Sequence, residues 1–255
     1  MKILRLLLIA AGLTLLWQLI VIFTGAPHYI LPGPIPVLRA IVSHMPILLM
    51  HLQTTLTEIV LGLILGTLLG SSCALSMIML PRLKHWMLPV LVISQAIPVF
   101  ALAPVLVLWL GYGMASKVAM TVLIIFFPVT SSFYYGMQRT EPDLIELARI
   151  MDAGPVATLR YIVIPSALPA FASGVRVAAA VAPIGAVVGE WVGSSSGLGY
   201  YMLHSNARMQ IDLMFAALTV LSLASLTIYF SIDFVLEKLI FWETTKELHH
   251  ETLQK

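Results

Sequence analysis

The residues Gly193-Ser194-Ser195-Ser196-Gly197, with His204 shortly after them, have the residue types and spacing of a serine-hydrolase nucleophile turn. That chemistry needs the serine on a strained strand-to-helix turn beside an oxyanion hole. Here the string follows a long apolar helical stretch, so a hydrolase is excluded. Phosphate chemistry fares no better: a P-loop needs G-x4-G-K-[ST], and no Gly-Lys pair occurs anywhere in the chain. No H-E-x-x-H or comparable ligand spacing is present, and His249 with His250 reads as a solvated tail. Cys73 is the single cysteine, which rules out a disulfide framework and a cysteine metal site. Three ionisable residues remain that lie inside or at the edge of apolar stretches: Glu58, Arg176 and Glu190. Charge at membrane depth is costly, so each needs protein, water or a partner beside it. Arg176 and Glu190 stand about 21 Å apart along one helix and so cannot pair within it. Glu58 is the expected structural partner of Arg176, while Glu190, beside Trp191, is the candidate substrate or gate contact.

The elements that position these residues follow from composition. Of 255 residues, 60% are hydrophobic and 10% are charged, against roughly 25% charged in an average soluble domain. A water-soluble fold of this length could not hide so much apolar side chain, and lipid must be part of its solvent. The net charge of +2 is too small and too dispersed for a nucleic-acid partner. A spanning helix needs about 20 mostly apolar residues, and six stretches qualify: Ile3 to Phe23, Leu56 to Leu80, Met87 to Leu110, Val118 to Met137, Leu168 to Val188 and Leu213 to Ile232. The first is longer than a signal-peptide core and lacks a cleavage-like end, so a retained helix is expected. The fold class is therefore all-α: one polytopic membrane domain over 1–255 with about six transmembrane helices.

Orientation follows from lysine and arginine, which are enriched in cytoplasmic loops. With the N-terminus inside, ten basic residues fall on the cytoplasmic side and three, Arg39, Lys117 and Arg208, fall outside. Both termini are thus expected in the cytoplasm. A short external helix is expected between Pro36 and Pro46. Gly62, Gly66 and Gly70 leave one face of the second span bare for close helix packing. Pro89, Pro98 and Pro104 interrupt the third span, which predicts a kinked helix lining a cavity. Along it, Ser94, Gln95 and Trp109 are candidate pathway residues, together with Glu190 and Trp191 from the fifth span. Amide, carboxylate and indole surfaces of this kind suit a small planar polar solute, whereas an anion would favour Arg176.

The longest inter-span connection, from Arg139 to Pro165, is the most informative segment. Thr140 with Asp143 fits a capping box, and Leu144, Leu147, Ala148 and Met151 form a narrow apolar stripe. Asp152, Ala153 and Gly154 end that helix, and Pro155 suits the first turn of another. The result is a helix–turn–helix elbow whose stripe needs a covering surface, either a partner protein or the lipid interface.

The spacing Glu146, Ala148, Asp152, Ala153, Ile162, Ile164 and Pro165 resembles the EAA loop of permease subunits of ABC importers. Leu147 stands for the second alanine of that pattern, and Asp152 stands where the family has its glycine. The resemblance extends through SQAIPVFALAPVLVLWLGYGMASKV, ALPAFASGVRVA and GEWVGSSSGLGYYM, covering about Leu56 to Ile240. It is nearest to the branch that imports nitrate, sulfonates, taurine or thiamine pyrimidine precursors. This resemblance implies a type I importer permease with its core over 56–240 and its coupling loop over 139–165. It also implies that Glu146, Ala148, Asp152, Ala153, Gly154, Ile162 and Pro165 meet an ATPase subunit. The expected partners are two ATPase copies carrying ATP and Mg, a second permease copy, an external or periplasmic substrate-binding protein, and lipid. No cofactor is expected in this chain, and its place is the bacterial inner membrane.

Overall fold

The computed structural model describes residues 2–242, with side chains for 8–9 and from 11 onward. Every regular element among the described residues is a helix, and none is a strand. In chain order they form α1 (Lys2–Thr24), α2 (Pro34–Ser43), α3 (Met45–Met79), α4 (Pro81–Ala96), α5 (Val99–Leu110), α6 (Met114–Gln138), α7 (Pro142–Ile150), α8 (Pro155–Thr158), α9 (Ile164–Gly193), α10 (Leu198–Ala207) and α11 (Ile211–Leu239). A π-helical turn, Leu159–Val163, joins α8 to α9 without a break. α3, α6, the run Pro155–Gly193 and α11 are each long and apolar enough to span a membrane. The α4–α5 pair makes a fifth, bent span. α1 has 23 residues, and its first side chains lie outside the described part.

Three expectations about boundaries are corrected. The third span is two helices that meet at 101°, not one kinked helix. Pro98 forces the residue before it out of the helical region. Ile97 accordingly sits at φ −81°, ψ 121°, and Pro98 caps α5. The second span begins at Met45 rather than Leu56, because Pro46 falls in the first helical turn, where its missing N–H costs nothing. For the same reason the short helix runs from Pro34 to Ser43 instead of Pro36 to Pro46.

The spine of the molecule is α3, α6 and α9. Gly62, Gly66 and Gly70 form the expected bare face, and it is filled by α6: a Cβ on Gly62 would lie 2.4 Å from Thr121, and one on Gly66 2.4 Å from Ile125. α9 also packs closely on α6, with Gly174 against the Pro128 carbonyl and Gly185 against the Thr121 backbone. Backbones this close gain dispersion contacts along their length, which is what joins helices where lipid is as apolar as leucine. Around the spine, Ile59, Ile125, Val129, Ala178 and Ala182 fill the middle. Met77, Phe133, Tyr134 and Ala167 fill the end that carries α7 and α8. Val37, Leu48, Leu198, Ala216 and Ala217 fill the opposite end, where α2 and α10 pack on α11.

Candidate functional site

Two places on this frame concentrate polar chemistry or unpartnered apolar surface, one at each end of α9. At the first end, α7 and α8 form the expected elbow. The amide of Ala153 donates to the Ala148 carbonyl at 2.9 Å and that of Asp152 to the Arg149 carbonyl at 3.0 Å. Asp152 lies between them at φ +54°. These two bonds with a left-handed residue are a Schellman stop. Aspartate therefore adopts the conformation for which glycine is usually chosen, as its short polar side chain permits. The capping box does not form: Pro142 opens α7, so Glu141 becomes the N-cap, and Thr140 Oγ1 instead donates to the Met137 carbonyl.

The elbow's side chains divide between two surfaces. Ala148 is buried at 2% exposure, packed inward rather than offered to a partner. Its small side chain lies on the inward side of the nine-residue helix. Glu146, Asp152 and Gly154 are exposed, while Ala153, Ile162 and Pro165 are half-buried. Ile150, Met151, Val156 and Tyr161 are each about 70% exposed or more. Beside them runs a groove of about 510 Å³ lined by Ile78, Met79, Ile145, Arg149, Ala153 and Val156.

At the other end of α9, three side chains, His51 and Thr55 of α3 and Glu190 of α9, meet the start of α10. Helix N-termini leave four amides without intrahelical acceptors. Here each of the four has a side-chain acceptor. His51 Nδ1 accepts from Gly197 at 3.1 Å, and Thr55 Oγ1 accepts from Leu198 at 2.8 Å. Glu190 Oε2 accepts from Gly199 and, at 3.3 Å, from Tyr200. The Thr55 hydroxyl donates in turn to Glu190 Oε1 at 2.6 Å. Gly197 sits at φ +107°, and a Cβ there would collide with the Glu190 carboxylate, so glycine is required on both counts. The carboxylate also lies at the positive end of the α10 dipole. His51 stacks on Tyr201 with ring centroids 4.9 Å apart, and burial pushes the Tyr201 phenol above its ordinary pKa.

One turn along α3 from Thr55, Glu58 is fully buried, with Lys117 Nζ 2.9 Å from its Oε1. The Glu190 carboxylate is the second charged neighbour of Glu58, so Lys117 faces a pair of buried carboxylates and not one alone. This overturns the expected Glu58–Arg176 pairing. Arg176 instead binds Asp233 of α11, with Nε 2.6 Å from Oδ1. It also moves Lys117 from an external loop into the protein, because α6 begins at Met114.

The pathway residues are placed as follows. Ser94 and Gln95 end α4 at the break, with Ser94 Oγ donating to the Leu91 carbonyl and Gln95 exposed. Trp109 in α5 is 75% exposed and Trp191 42%. Glu190 does not join them, since it is 1% exposed and its oxygens are occupied by Thr55 and α10. His51, Thr55 and Lys117 are the polar residues that the sequence reading missed. The signal was available for two of them, because His51, Thr55 and Glu58 recur at i, i+4 and i+7 on one helix face.

A polytopic helical bundle with buried, neutralised charge and a protruding elbow defines a membrane permease. The chain belongs to the family of binding-protein-dependent transport system inner membrane components, which it matches over residues 62–241. It is 53% identical over 239 residues to a probable ABC transporter permease protein of Haemophilus influenzae, covering 94% of this chain and 98% of the relative. A formylaminopyrimidine transport permease of Halalkalibacterium halodurans shares 41% over 212 residues, covering 83% and 84%. A riboflavin transport system permease of Chloroflexus aurantiacus shares 35% over 237 residues, covering 91% and 88%. Among solved structures, a chain of the MetNI methionine ABC transporter in an inward-facing conformation superposes with a TM-score of 0.64 at 17% identity, covering 77% and 97%. The protein is thus a transport subunit and not an enzyme. As in its family, ATP is hydrolysed by a separate subunit and solute is delivered by a binding protein.

Proposed function

We propose that the chain moves a small planar nitrogen heterocycle, a pyrimidine-like compound, inward across the bacterial inner membrane as one half of a homodimer. The elbow end and both termini face the cytoplasm, where two ATPase copies, each carrying ATP and Mg, clasp the two elbows. The observation that carries this reading is the apolar crest Ile150, Met151, Val156 and Tyr161, held beside the Schellman turn. So much exposed apolar surface on a small projection calls for a protein groove. Glu146, Asp152, Ala153 and Gly154 border that crest, and Ile162 and Pro165 form the root through which it moves α9.

The relatives named for formylaminopyrimidine and riboflavin both carry planar nitrogen heterocycles, which supports the substrate class. Pairing of Arg176 with Asp233 and of Lys117 with Glu58 removes both cations that an anionic sulfonate or nitrate would seek in the spans. Ser94, Gln95, Trp109 and Trp191 supply amide, hydroxyl and ring surfaces to the pathway, and the exposed leucines and phenylalanines of α1 and α11 meet lipid.

The test is reconstitution with the ATPase and binding protein, comparing uptake of an aminopyrimidine with that of taurine and nitrate. Aminopyrimidine uptake that depends on ATP is expected, and uptake of the anions alone would reverse the substrate assignment. Orientation is tested in the same vesicles: a cysteine at position 153 should react with an impermeant thiol reagent only from the ATPase side.

A further inference from the structure

The one helix that begins at the elbow ends at the α10 socket. From the π-turn, α9 runs unbroken through Pro169 and Pro183 to Gly193, about 45 Å at the rise of an α-helix. Glu190 lies in its last turn. Its carboxylate, with Thr55 and His51 of α3, takes up every orphan amide of α10. α10 also buries Leu198 among α2 and α11 residues at the same end. One continuous helix thus carries the elbow at one end and grips a separate helix at the other. The grip is made of directed bonds among buried groups, where a lost partner leaves a buried amide unsatisfied.

We propose that Glu190 is a positioning residue for transport: it locks α10 to α9, so that displacement of the elbow is delivered as displacement of α10 on the opposite face. This rests on the coupling role assigned to the elbow. The chemistry explains the residue type. Glutamine offers one acceptor oxygen: turned to Gly199 and Tyr200, it sets its NH2 against the Thr55 hydroxyl, which loses the acceptor it donates to. Aspartate keeps both oxygens but is one methylene short. Glu58 adjoins Glu190 at the flank of the socket, and Lys117 offsets the charge of the two carboxylates. The Glu190 oxygens are still directed at the Thr55 hydroxyl and the α10 amides. By linkage, coupling through this joint runs in both directions, so a protein pressing on the α10 face also biases the elbow.

The experiment uses the full complex in proteoliposomes, with wild-type uptake first established. Failure of the wild type to associate with an ATPase would count against the coupling role itself, separately from this inference. Glu190→Gln is expected to assemble with the ATPase but to lower maximal uptake at least tenfold, with the substrate concentration for half-maximal uptake unchanged. Glu190→Asp should recover part of the rate. A rise in that concentration at unchanged maximal rate would instead make Glu190 a substrate contact and overturn the proposal. A variant that fails to fold leaves a second measurement, made in an otherwise wild-type protein with spin labels at Ile184 and Asn206. Their separation should stay the same in nucleotide-free and ATP-bound complexes, and should broaden on Thr55→Val. A separation that changes with nucleotide in the unsubstituted socket would show that α10 does not move with α9 and would end the idea.

Discussion

Lys117, in the first turns of α6, and Glu58, in the middle of α3, form a buried ion pair with Nζ 2.9 Å from Oε1. A lysine near a helix N-terminus is disfavoured by the dipole, and a glutamate in an apolar span is disfavoured by desolvation. Each is tolerated because the other is there. Gly189 of α9 closes the site, since a Cβ there would lie 3.0 Å from Lys117 Cα.

Removing Lys117 alone should be worse than removing both partners. Lys117→Met leaves Glu58 and Glu190 side by side without their cation and is expected to lose about 3–5 kcal/mol, whereas Glu58→Gln leaves Lys117 with Glu190 nearby and should cost less. The double variant should recover most of that. Thermal unfolding of the detergent-solubilised protein reads the difference. A double variant no more stable than the worse single one would show that charge balance is not what the pair provides.

Asp152 predicts a ranking at the elbow. At φ +54°, glycine removes the Cβ strain, so Asp152→Gly should hold or strengthen the turn. A β-branched residue should weaken it by about 1–2 kcal/mol. Limited proteolysis of the 139–165 segment in the free chain measures turn integrity: Asp152→Val is expected to be cut faster than wild type, and Asp152→Gly no faster. Equal cutting of all three would remove the left-handed turn from the explanation.

Two glycines should behave oppositely towards alanine. Gly185→Ala places a Cβ 2.6 Å from Thr121 Cα, against backbone that cannot yield. Overpacking at such a site costs about 1–3 kcal/mol. Gly154 has nothing within 4 Å of its would-be Cβ and an ordinary φ of −64°. Gly154→Ala should therefore leave stability unchanged, whereas Gly154→Trp should block ATPase association without unfolding the spans. Pull-down of the ATPase alongside a melting curve separates the two effects. Unaltered association with Gly154→Trp would remove this glycine from the interface.

Sequence by itself determined those features whose causes lie along the chain. Apolar length marked the spans, because the hydrocarbon layer admits only long apolar helices. Gly62, Gly66 and Gly70 marked a close-packing face because their period is that of the helix. The elbow was legible in Asp152, Gly154 and Pro155, since stops and starts of helices are set by local backbone preference, and only its N-cap was misplaced, by Pro142. The tertiary structure decided what depends on meeting across the bundle. Glu58 faced two cations in the sequence, and only the packing of α3 on α6 chose Lys117 over Arg176. The prolines of the third span announced only a kink, whereas the structure has two helices meeting at 101°, with α5 packed on α6 and α9. Most of all, the α10 socket has no local signature. His51, Thr55 and Glu190 act there through backbone amides, which every residue carries, and no side-chain pattern can tell which amides a distant carboxylate will find.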